Sequence, residues 1–264
     1  MIKSKIFKPA AFYYQRKSMG SSEILLQSIQ ITKRFGGLNA LNKVSFYIKK
    51  GERVGLIGPN GSGKTTLFNI ISKALSPTSG SIIFESKDIT NLRPHKICKL
   101  GIARTFQIPK PFPKLTVFKN VLIGMLFVRG NNKDFDVNRE IAEILDMVGL
   151  SKKSSTKAAD LTLTEQRLLD LAKALSIKPK LLLLDEVTAG LNPVETGQVL
   201  NLLRKLNNEL GITIFMIEHN LRTIKEMVSR VIVLNRGEKI AEGTPKEVTR
   251  DQKVITAYLG ESYA

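Results

Sequence analysis

The spacing of apolar residues predicts strands toward both ends of the chain and helices between them. Residues 24–32 and 44–48 alternate apolar and polar side chains as half-buried strands do, and a turn at residues 49–52 follows the second segment. Residues 80–84 are typical of a further strand of this kind. Residues 53–57 are short and apolar, as a buried strand is. Together these segments predict an antiparallel β edge that flanks the buried strand.

The middle of the chain has a helical period. From residue 93 to about residue 174, the strand alternation gives way to apolar spacings typical of helices. The clearest stretch has apolar side chains at Val137, Ile141, Ile144, Leu145 and Val148. We therefore predict a mainly helical subdomain that is inserted into an α/β core.

The last third of the chain returns to strands. Residues 181–184 form a continuous apolar run, which suits a strand buried on both faces of a parallel sheet. A helical segment at residues 194–210 follows, with further strands at residues 212–217 and 231–234. A strand, a helix and a second strand in this order predict a right-handed parallel unit.

The expected fold class is therefore α/β, in a single domain that covers residues 23–264. Residues 23–92 and 175–264 are expected to form the α/β core, and residues 93–174 the mainly helical subdomain. Residues 1–22 form a basic N-terminal extension in which lysine and arginine alternate with aromatic and aliphatic residues. Such a segment favours either a flexible tail or a weak contact with a membrane surface.

The chain of 264 residues has a formal net charge of +18, which favours an anionic partner such as a nucleotide, a nucleic acid or an anionic membrane. The basic residues are spread thinly, without a run of about five or six, and no RNA-binding motif is present. We therefore expect no nucleic-acid partner. Cys98 is the single cysteine, so the chain forms neither an internal disulfide nor a cysteine-based zinc site.

Membrane-spanning and secretory signals are missing from the pattern. No apolar run approaches the roughly 20 residues that a transmembrane helix needs, and residues 121–128 are the longest uninterrupted candidate. The basic N-terminus lacks the apolar core and the small-residue cleavage site of a secretory signal. These features predict a protein of the reducing cytoplasm.

A glycine-rich loop carries the most specific chemical signal. It lies between the strand predicted at residues 53–57 and a helical pattern that opens at residues 67–71, which is the context that a phosphate-binding loop requires. Glycines let backbone N–H groups close around phosphate oxygens, and the helix N-terminus adds a partial positive charge. We expect Lys64 to reach the β- and γ-phosphates and the Thr65 hydroxyl to bind Mg²⁺. The predicted nucleotide-binding residues of this loop are Gly58, Pro59, Asn60, Gly61, Ser62, Gly63, Lys64, Thr65 and Thr66.

Two acids end the apolar run of residues 181–184. Ligands bind at the carboxyl ends of strands in open α/β sheets, so Asp185 and Glu186 are expected beside the nucleotide. Asp185 would hold Mg²⁺, and Glu186 would orient and deprotonate the water that attacks the γ-phosphate. The chain has neither a guanine-reading motif nor the motif set of protein kinases, so GTPases and protein kinases are excluded.

With these motifs in place, residues 24–260 resemble the ATP-binding-cassette (ABC) ATPase subunits of transporters. The resemblance implies ATP and Mg²⁺ as cofactors. It implies that Phe35 stacks on the adenine, that Gln107 contacts Mg²⁺ and the attacking water, and that His219 contacts the γ-phosphate. The implied metal-binding residues are Thr65, Gln107 and Asp185. The implied dimer-contact loop consists of Ala189, Gly190, Leu191 and Asn192.

The stretch that matches the family signature departs from it. This stretch consists of Leu161, Thr162, Leu163, Thr164, Glu165 and Gln166. Thr162 keeps a hydroxyl where serine is usual, but Thr164 replaces a glycine that lets the γ-phosphate held by a partner subunit approach. Val187 in place of proline and Asn192 in place of aspartate are milder changes. Since the family holds ATP between the phosphate loop of one subunit and the signature of the other, we expect an asymmetric heterodimer with a second ABC ATPase subunit.

The end of the chain resembles a narrower group within this family. Residues 243–248 and 254–261 resemble the ending of ATPase subunits from branched-chain amino-acid importers, and residues 101–107 and 115–117 resemble the same group. The resemblance implies that the transported solute is a branched-chain amino acid. Importers of urea and of polar amino acids have similar tails, as do lipopolysaccharide-transport ATPases, so the residues alone leave the solute open.

The expected function is ATP hydrolysis that powers solute transport at the cytoplasmic face of the cell membrane. The resemblance implies two transmembrane permease subunits as partners and, indirectly, an extracytoplasmic solute-binding protein. Residues 108–113 follow Gln107 with three prolines, and we expect this stiff loop to touch a short cytoplasmic helix of a permease subunit. An ordinary connecting loop is the alternative.

Two further functions stay open on the residues alone. The first is a soluble cassette ATPase that acts on ribosomes or DNA, which the high basicity favours and the single cassette disfavours. The second is a regulatory subunit that binds nucleotide and hydrolyses little, which the altered signature favours and Glu186 disfavours.

Overall fold

Strands and helices alternate along the part of the chain that the structure describes. The computed structural model describes residues 23–129 and 136–259, and the extension predicted at residues 1–22 lies outside them. The strands are β1 (Ile24–Phe35), β2 (Leu38–Lys49), β3 (Arg53–Ile57), β4 (Ser79–Phe84), β5 (Lys87–Asp88), β6 (Ile102–Arg104), β7 (Leu181–Asp185), β8 (Thr213–Ile217), β9 (Arg230–Asn235) and β10 (Glu238–Gly243). The helices are α1 (Lys64–Ile71), α2 (Pro94–Leu100), α3 (Val117–Arg129), α4 (Val137–Met147), α5 (Leu163–Leu175), α6 (Pro193–Leu210), α7 (Leu221–Met227), α8 (Pro245–Val248) and α9 (Gln252–Leu259), with 3₁₀ turns at Ser151–Lys153 and Ala158–Asp160.

The larger of two sheets has its six strands in the order β10-β9-β3-β8-β7-β6. Its strand pairs are parallel except for β10 with β9. All five residues of β7 and all five of β8 are buried. A strand covered on both faces places an apolar side chain at nearly every position, which explains the unbroken run at residues 181–184.

The smaller sheet is antiparallel and has the order β2-β1-β4-β5. The strands predicted at residues 24–32, 44–48 and 80–84 are therefore confirmed, but they form a sheet of their own and do not flank β3. Both edges of β3 are already paired, with β8 on one side and β9 on the other, so no edge is free for an antiparallel neighbour.

Two hydrophobic cores lie on opposite faces of the larger sheet. Leu182 and Leu184 of β7 enter one core, which also contains residues of α3, α4, α5 and α6. Leu181 and Leu183 enter the other, which contains residues of α1 and of the smaller sheet. The phosphate-loop strand and the strand before the acidic pair are thus fixed between the same two cores.

The segment predicted to be helical, residues 93–174, contains α2, α3, α4, α5 and one strand. Strand β6 pairs in parallel with β7, so the larger sheet extends into this segment. With only three residues, β6 is too short to produce a readable period. The sequence prediction also omitted β5, α7, β10, α8 and α9.

Within residues 23–129 and 136–259, no helix has both the length and the apolar character that crossing a membrane requires.

Candidate functional site

The predicted phosphate-binding loop connects β3 to α1. Gly63 precedes the helix with a φ of 102°, and a Cβ at this position would lie 2.6 Å from the Ala40 carbonyl oxygen. Gly58 has a φ of 150°, and a Cβ there would lie 2.0 Å from the Leu234 carbonyl oxygen. Neither position has room for a side chain, so glycine is required at both. The loop packs against β2 and β9, which fixes its shape.

Lys64 begins α1 and turns its side chain back over the loop. Its Nζ donates hydrogen bonds to the carbonyl oxygens of Gly58 and Pro59, both at 2.8 Å. Burial lowers the pKa of Lys64, whereas the carboxylates of Glu186 and Asp185 act to raise it. The ammonium therefore lies between the glycine loop and the acidic pair, where charged phosphate oxygens can be bound. Thr65 is exposed in the first turn of the same helix.

Glu186 receives two hydrogen-bonding side chains from other segments. Gln107 Nε2 donates to Glu186 Oε2 at 2.8 Å, and His219 Nε2 lies 2.7 Å from Glu186 Oε1. Gln107 follows β6, Glu186 follows β7 and His219 follows β8. Because the three strands are parallel neighbours, their carboxyl ends meet at one edge of the sheet. The structure thus brings together the three residues predicted to be catalytic.

Asp185 is the last residue of β7 and is 3% exposed. Burial raises its pKa, and a hydrogen bond from Arg104 Nη2 to Asp185 Oδ2 at 3.0 Å opposes that effect. Arg104 Nη1 also donates to Asn69 Oδ1 on α1 and to the Oγ of Ser72, which caps the end of that helix. Arg104 therefore ties the acidic strand to the helix that follows the phosphate loop. The sequence prediction missed Arg104, whose only signal was its place three residues before Gln107.

The donor atoms near the phosphate loop suit a hard divalent cation. Thr65 supplies a hydroxyl, Asp185 a carboxylate and Gln107 a side-chain amide, all of them oxygen ligands. Magnesium keeps several water ligands and needs only one or two carboxylates from the protein. No group of three or more histidine, cysteine or acidic side chains within the described residues is arranged to hold a metal, and a site of this kind does not need one.

Phe35 is the last residue of β1, in the smaller sheet. Phe35 is 48% exposed, and the Lys33 ammonium lies 5.1 Å from its ring centre. A half-exposed aromatic face of this kind is open to stacking by a flat ligand. The adenine contact of Phe35 stays a prediction.

The signature-like segment forms the start of α5. Thr162 accepts the N–H of Glu165 and donates its own N–H to the Glu165 carboxylate, which makes a capping box. Gln166 Nε2 donates to the Leu161 carbonyl at 3.1 Å, and Leu163 is 49% exposed. The segment is therefore a rigid helix start with an apolar side chain at its surface.

The predicted dimer-contact loop, residues 189–192, lies beside this helix start. Asn192 caps α6 in a second capping box with Glu195. The Thr164 hydroxyl donates to Glu195 Oε1 at 2.8 Å. Gly190 adopts a φ of 75° close to Leu163. The structure brings the signature-like segment and this loop together, which their separation in the sequence did not indicate.

Two further residues that the sequence prediction missed surround Glu186. Glu218, 3% exposed, accepts hydrogen bonds from the N–H and the hydroxyl of Thr188, and burial raises its pKa. Arg167, on α5, donates to the main-chain carbonyl of Glu186. Arg167 directly follows the signature-like segment and Glu218 directly precedes His219, but their roles depend on contacts with residues 19 and 30 positions away, which neither motif indicates.

The C-terminal segment lies beside the phosphate loop. Asn60, Ser62, Gln252 and Thr256 are among the residues that line a cavity of about 830 Å³ between this loop and α9. Burial raises the pKa of Tyr258 on α9, and a hydrogen bond with the Gly58 backbone opposes this effect. The tail of the chain therefore contacts the predicted nucleotide site directly.

Comparison with protein families gives two matches. The family described as "ABC transporter" matches residues 41–189. The family described as "Branched-chain amino acid ATP-binding cassette transporter" matches residues 238–264, which include β10, α8 and α9.

Individual relatives are similar over most of the chain. The high-affinity branched-chain amino acid transport ATP-binding protein LivG of Escherichia coli (strain K12) is 35% identical over 257 residues, which cover 91% of this chain and 100% of that protein. The corresponding protein BraF of Pseudomonas aeruginosa is 34% identical, with the same coverage. The probable LivG of Archaeoglobus fulgidus is 37% identical and covers 89% of this chain and 95% of its own.

Solved structures share the fold. An ATP-binding cassette of an ABC transporter in its ADP conformation has a TM-score of 0.81 and 34% identity, covering 91% of this chain and 100% of its own. A nucleotide-free cassette from an ABC transporter has the same TM-score and 36% identity, covering 90% of this chain and 100% of its own. The fold class predicted from the sequence is confirmed.

Proposed function

The chain belongs to the ABC transporter family of ATP-binding cassettes, and from this premise we propose that its ATPase activity powers the uptake of branched-chain amino acids. The solute assignment is supported by the match of residues 238–264 to the branched-chain family and by the names of the relatives. Helix α9 of the matched tail faces the phosphate loop across a cavity, and Tyr258 hydrogen-bonds the Gly58 backbone, so the segment typical of this group adjoins the nucleotide site.

One observation carries the enzymatic part of the proposal. Glu186 stands at the carboxyl edge of the larger sheet with one carboxylate oxygen bonded to Gln107 and the other beside His219. A carboxylate held from both sides has a fixed direction, which a general base for an in-line attack on the γ-phosphate requires. In this proposal Glu186 accepts the proton of the attacking water.

The remaining site residues have binding roles in this proposal. Lys64 and the N–H groups at the start of α1 bind the β- and γ-phosphates, and Phe35 stacks on the adenine. Thr65, Gln107 and Asp185 hold Mg²⁺, which when bound neutralises charge on the phosphate oxygens. Arg104 fixes the direction of the Asp185 carboxylate through the bond to Oδ2.

The proposed partners follow from two exposed surfaces. Around the proline-rich loop of residues 108–113, Phe106, Ile108 and Phe112 are 39%, 75% and 47% exposed. This apolar surface next to Gln107 supports a contact with a membrane permease subunit, two of which we propose as partners at the cytoplasmic face of the membrane. A solute-binding protein on the outer side would act through them, and no nucleic-acid partner is proposed.

The signature-like helix start forms the second surface, where a second cassette subunit would bind. Thr164 supports a heterodimer, because its side chain occupies a position at which the family uses glycine to admit the nucleotide of the partner. The nucleotide-binding site that contains Lys64 would instead be completed by the signature segment of the sister subunit.

Uptake by cells tests the proposed solute. We expect deletion of this chain from its source cell to lower the uptake of radiolabelled leucine, isoleucine and valine while urea uptake is unchanged. Wild-type protein should restore uptake and the Glu186→Gln variant should not. Loss of urea uptake with normal leucine uptake would reject the branched-chain assignment and leave the ATPase assignment intact.

A further inference from the structure

The backbone of Glu186 has an unusual conformation for its residue type. Its φ is 50°, in the left-handed region, where a Cβ crowds the neighbouring carbonyl oxygen. A non-glycine residue keeps such a conformation only when its surroundings hold it there. The Glu186 N–H donates to the Ile217 carbonyl at 3.0 Å, and its carbonyl accepts the Ala189 N–H at 3.1 Å.

Arg167 supplies a side-chain contact to this turn. Its Nη1 donates to the carbonyl oxygen of Glu186 at 3.1 Å and reaches that of Val187 at 3.5 Å. Arg167 is 8% exposed, and its Nε has no hydrogen-bond partner among the described residues. Burying a guanidinium with one N–H donor unpaired lowers the stability of the fold, and its bonds to main-chain carbonyls recover only part of that loss. A purely structural role would not favour such an arrangement.

We propose that Arg167 is a positioning residue for the reaction: it holds the left-handed backbone of Glu186 and so aims the carboxylate at the attacking water. This inference rests on the proposed role of Glu186 as general base. Gln107 and His219 hold the carboxylate oxygens, and Arg167 holds the main chain from which that carboxylate projects.

The position of Arg167 on α5 gives this contact a second consequence. Thr164 lies three residues earlier on the same helix and is bonded to Glu195 at the start of α6. The guanidinium therefore connects the helix that begins with the signature-like segment to the base of the same subunit. A displacement of α5 on subunit contact would be transmitted to Glu186 through this bond.

Substitution of Arg167 separates positioning from folding. Arg167→Met keeps much of the aliphatic stem and removes the donors, whereas Arg167→Lys keeps one cationic donor group. Arg230→Met is the matched control. Arg230 is a largely buried arginine at the start of β9 that bonds Glu52 and Glu242, away from Glu186. Turnover is measured on the full-length protein together with the subunits that co-purify with it, alongside ATP affinity and the thermal unfolding midpoint.

We expect Arg167→Met to lower kcat about 10- to 100-fold while the Kd for ATP changes by less than about threefold, because Glu186 alone is displaced. Arg167→Lys should retain an intermediate kcat. Arg230→Met should lower the unfolding midpoint without changing kcat. In the Glu186→Gln background, Arg167→Met should cause no further loss, because the group that it positions is already gone.

Two outcomes would overturn the inference. One is a wild-type kcat in both Arg167 variants while Glu186→Gln is inactive. The other is a loss of kcat in Arg230→Met as large as that in the Arg167 variants for the same fall in the unfolding midpoint. Undiminished turnover in Glu186→Gln itself would instead reject the proposed base, which keeps the two failures distinct.

Discussion

The Thr164 hydroxyl donates a 2.8 Å hydrogen bond to Glu195 Oε1 and joins the first turn of α5 to the first turn of α6. The other oxygen of Glu195 accepts the N–H of Asn192, which caps α6. The threonine at the signature glycine position is therefore part of a link to the loop predicted to contact a second subunit. Its bulk and its hydrogen bond can be separated by substitution.

We predict that the bulk of Thr164 limits turnover in the assembled complex. Thr164→Gly removes both bulk and hydroxyl, Thr164→Ser keeps the hydroxyl with less bulk, and Thr164→Val keeps the bulk without the hydroxyl. Turnover should rise at least about twofold in the glycine variant, rise less in the serine variant, and stay unchanged or fall in the valine variant. The measurement is the rate of ATP hydrolysis by the complex at saturating ATP.

The three variants also test the contribution of the hydrogen bond. Thr164→Val should lower the free energy of unfolding relative to wild type, since the Glu195 carboxylate loses a donor. Identical turnover in the glycine variant and the wild type would show that the side chain does not crowd the site of the partner.

The capping residue of α6 should contribute measurably to stability. Asn192→Ala removes the side-chain acceptor for the Glu195 N–H, and we expect the free energy of unfolding to fall by about 1 kcal/mol in urea titrations. Asn201→Ala, in the middle of the same helix, is the control and should change it by less than about 0.5 kcal/mol. Equal effects of both substitutions would contradict the capping role.

The chain contains no tryptophan, so one introduced indole reports on one place only. In Phe35→Trp we expect ATP to quench the indole fluorescence, because the ring stacks on adenine. Adding Lys64→Ala in this background should weaken ATP binding at least about tenfold. Phe127→Trp is the control, since Phe127 on α3 is similarly exposed, at 45%, and should show no quenching. Quenching of equal size in both would reject the assigned adenine contact.

The buried Glu218 should make stability depend on pH. Burial raises its pKa above the ordinary value of 4.5, so the folded chain holds this proton more tightly than the unfolded chain. Its contribution to the free energy of unfolding is then fully present below pH 4.5 and is lost as pH rises through the raised folded value. Glu218→Gln should therefore be at least as stable as wild type at pH 7, with its relative advantage shrinking toward pH 5.

A glutamate with the opposite shift is the control for this experiment. A backbone hydrogen bond from Thr162 lowers the pKa of Glu165, so its contribution is present above the ordinary pKa and is lost at lower pH. Glu165→Gln should be less stable than wild type by a similar margin at pH 7 and pH 5, because its deficit shrinks only as the pH falls below the ordinary value of 4.5. Urea unfolding at pH 5 and pH 7 measures both variants. A greater deficit for Glu218→Gln at pH 7 than at pH 5 would show that burial does not dominate.

The parts of the fold that could be predicted from the sequence are those in which burial follows a regular pattern along the element. Strand β7 is buried on both faces and reads as an unbroken apolar run, and α4 has its apolar side chains on one face. Strand β6 has three residues, and β10 has no fully buried position, so neither gives a period. Helix α7 is seven residues long, with its beginning marked only by Asn220.

The candidate site likewise contains residues that the sequence indicates and residues that it does not. Lys64, Asp185 and Glu186 lie in local motifs whose strand and helix context is visible in the sequence. The contact of Arg167 with Glu186 joins residues 19 positions apart, and that of Arg104 with Asp185 joins residues 81 apart. Helix packing and strand order bring such pairs together, so no local sequence pattern predicts them. The positive φ of Glu186 is likewise hidden, because glycine is absent there.

The most direct test of the account is the steady-state rate of Mg-ATP hydrolysis by Glu186→Gln, measured with its affinity for ATP. If Glu186 is the general base, turnover falls at least about 100-fold while the Kd for ATP stays within about threefold of wild type. Turnover above about half the wild-type rate, with ATP still bound, would contradict the assignment of Glu186 as the base.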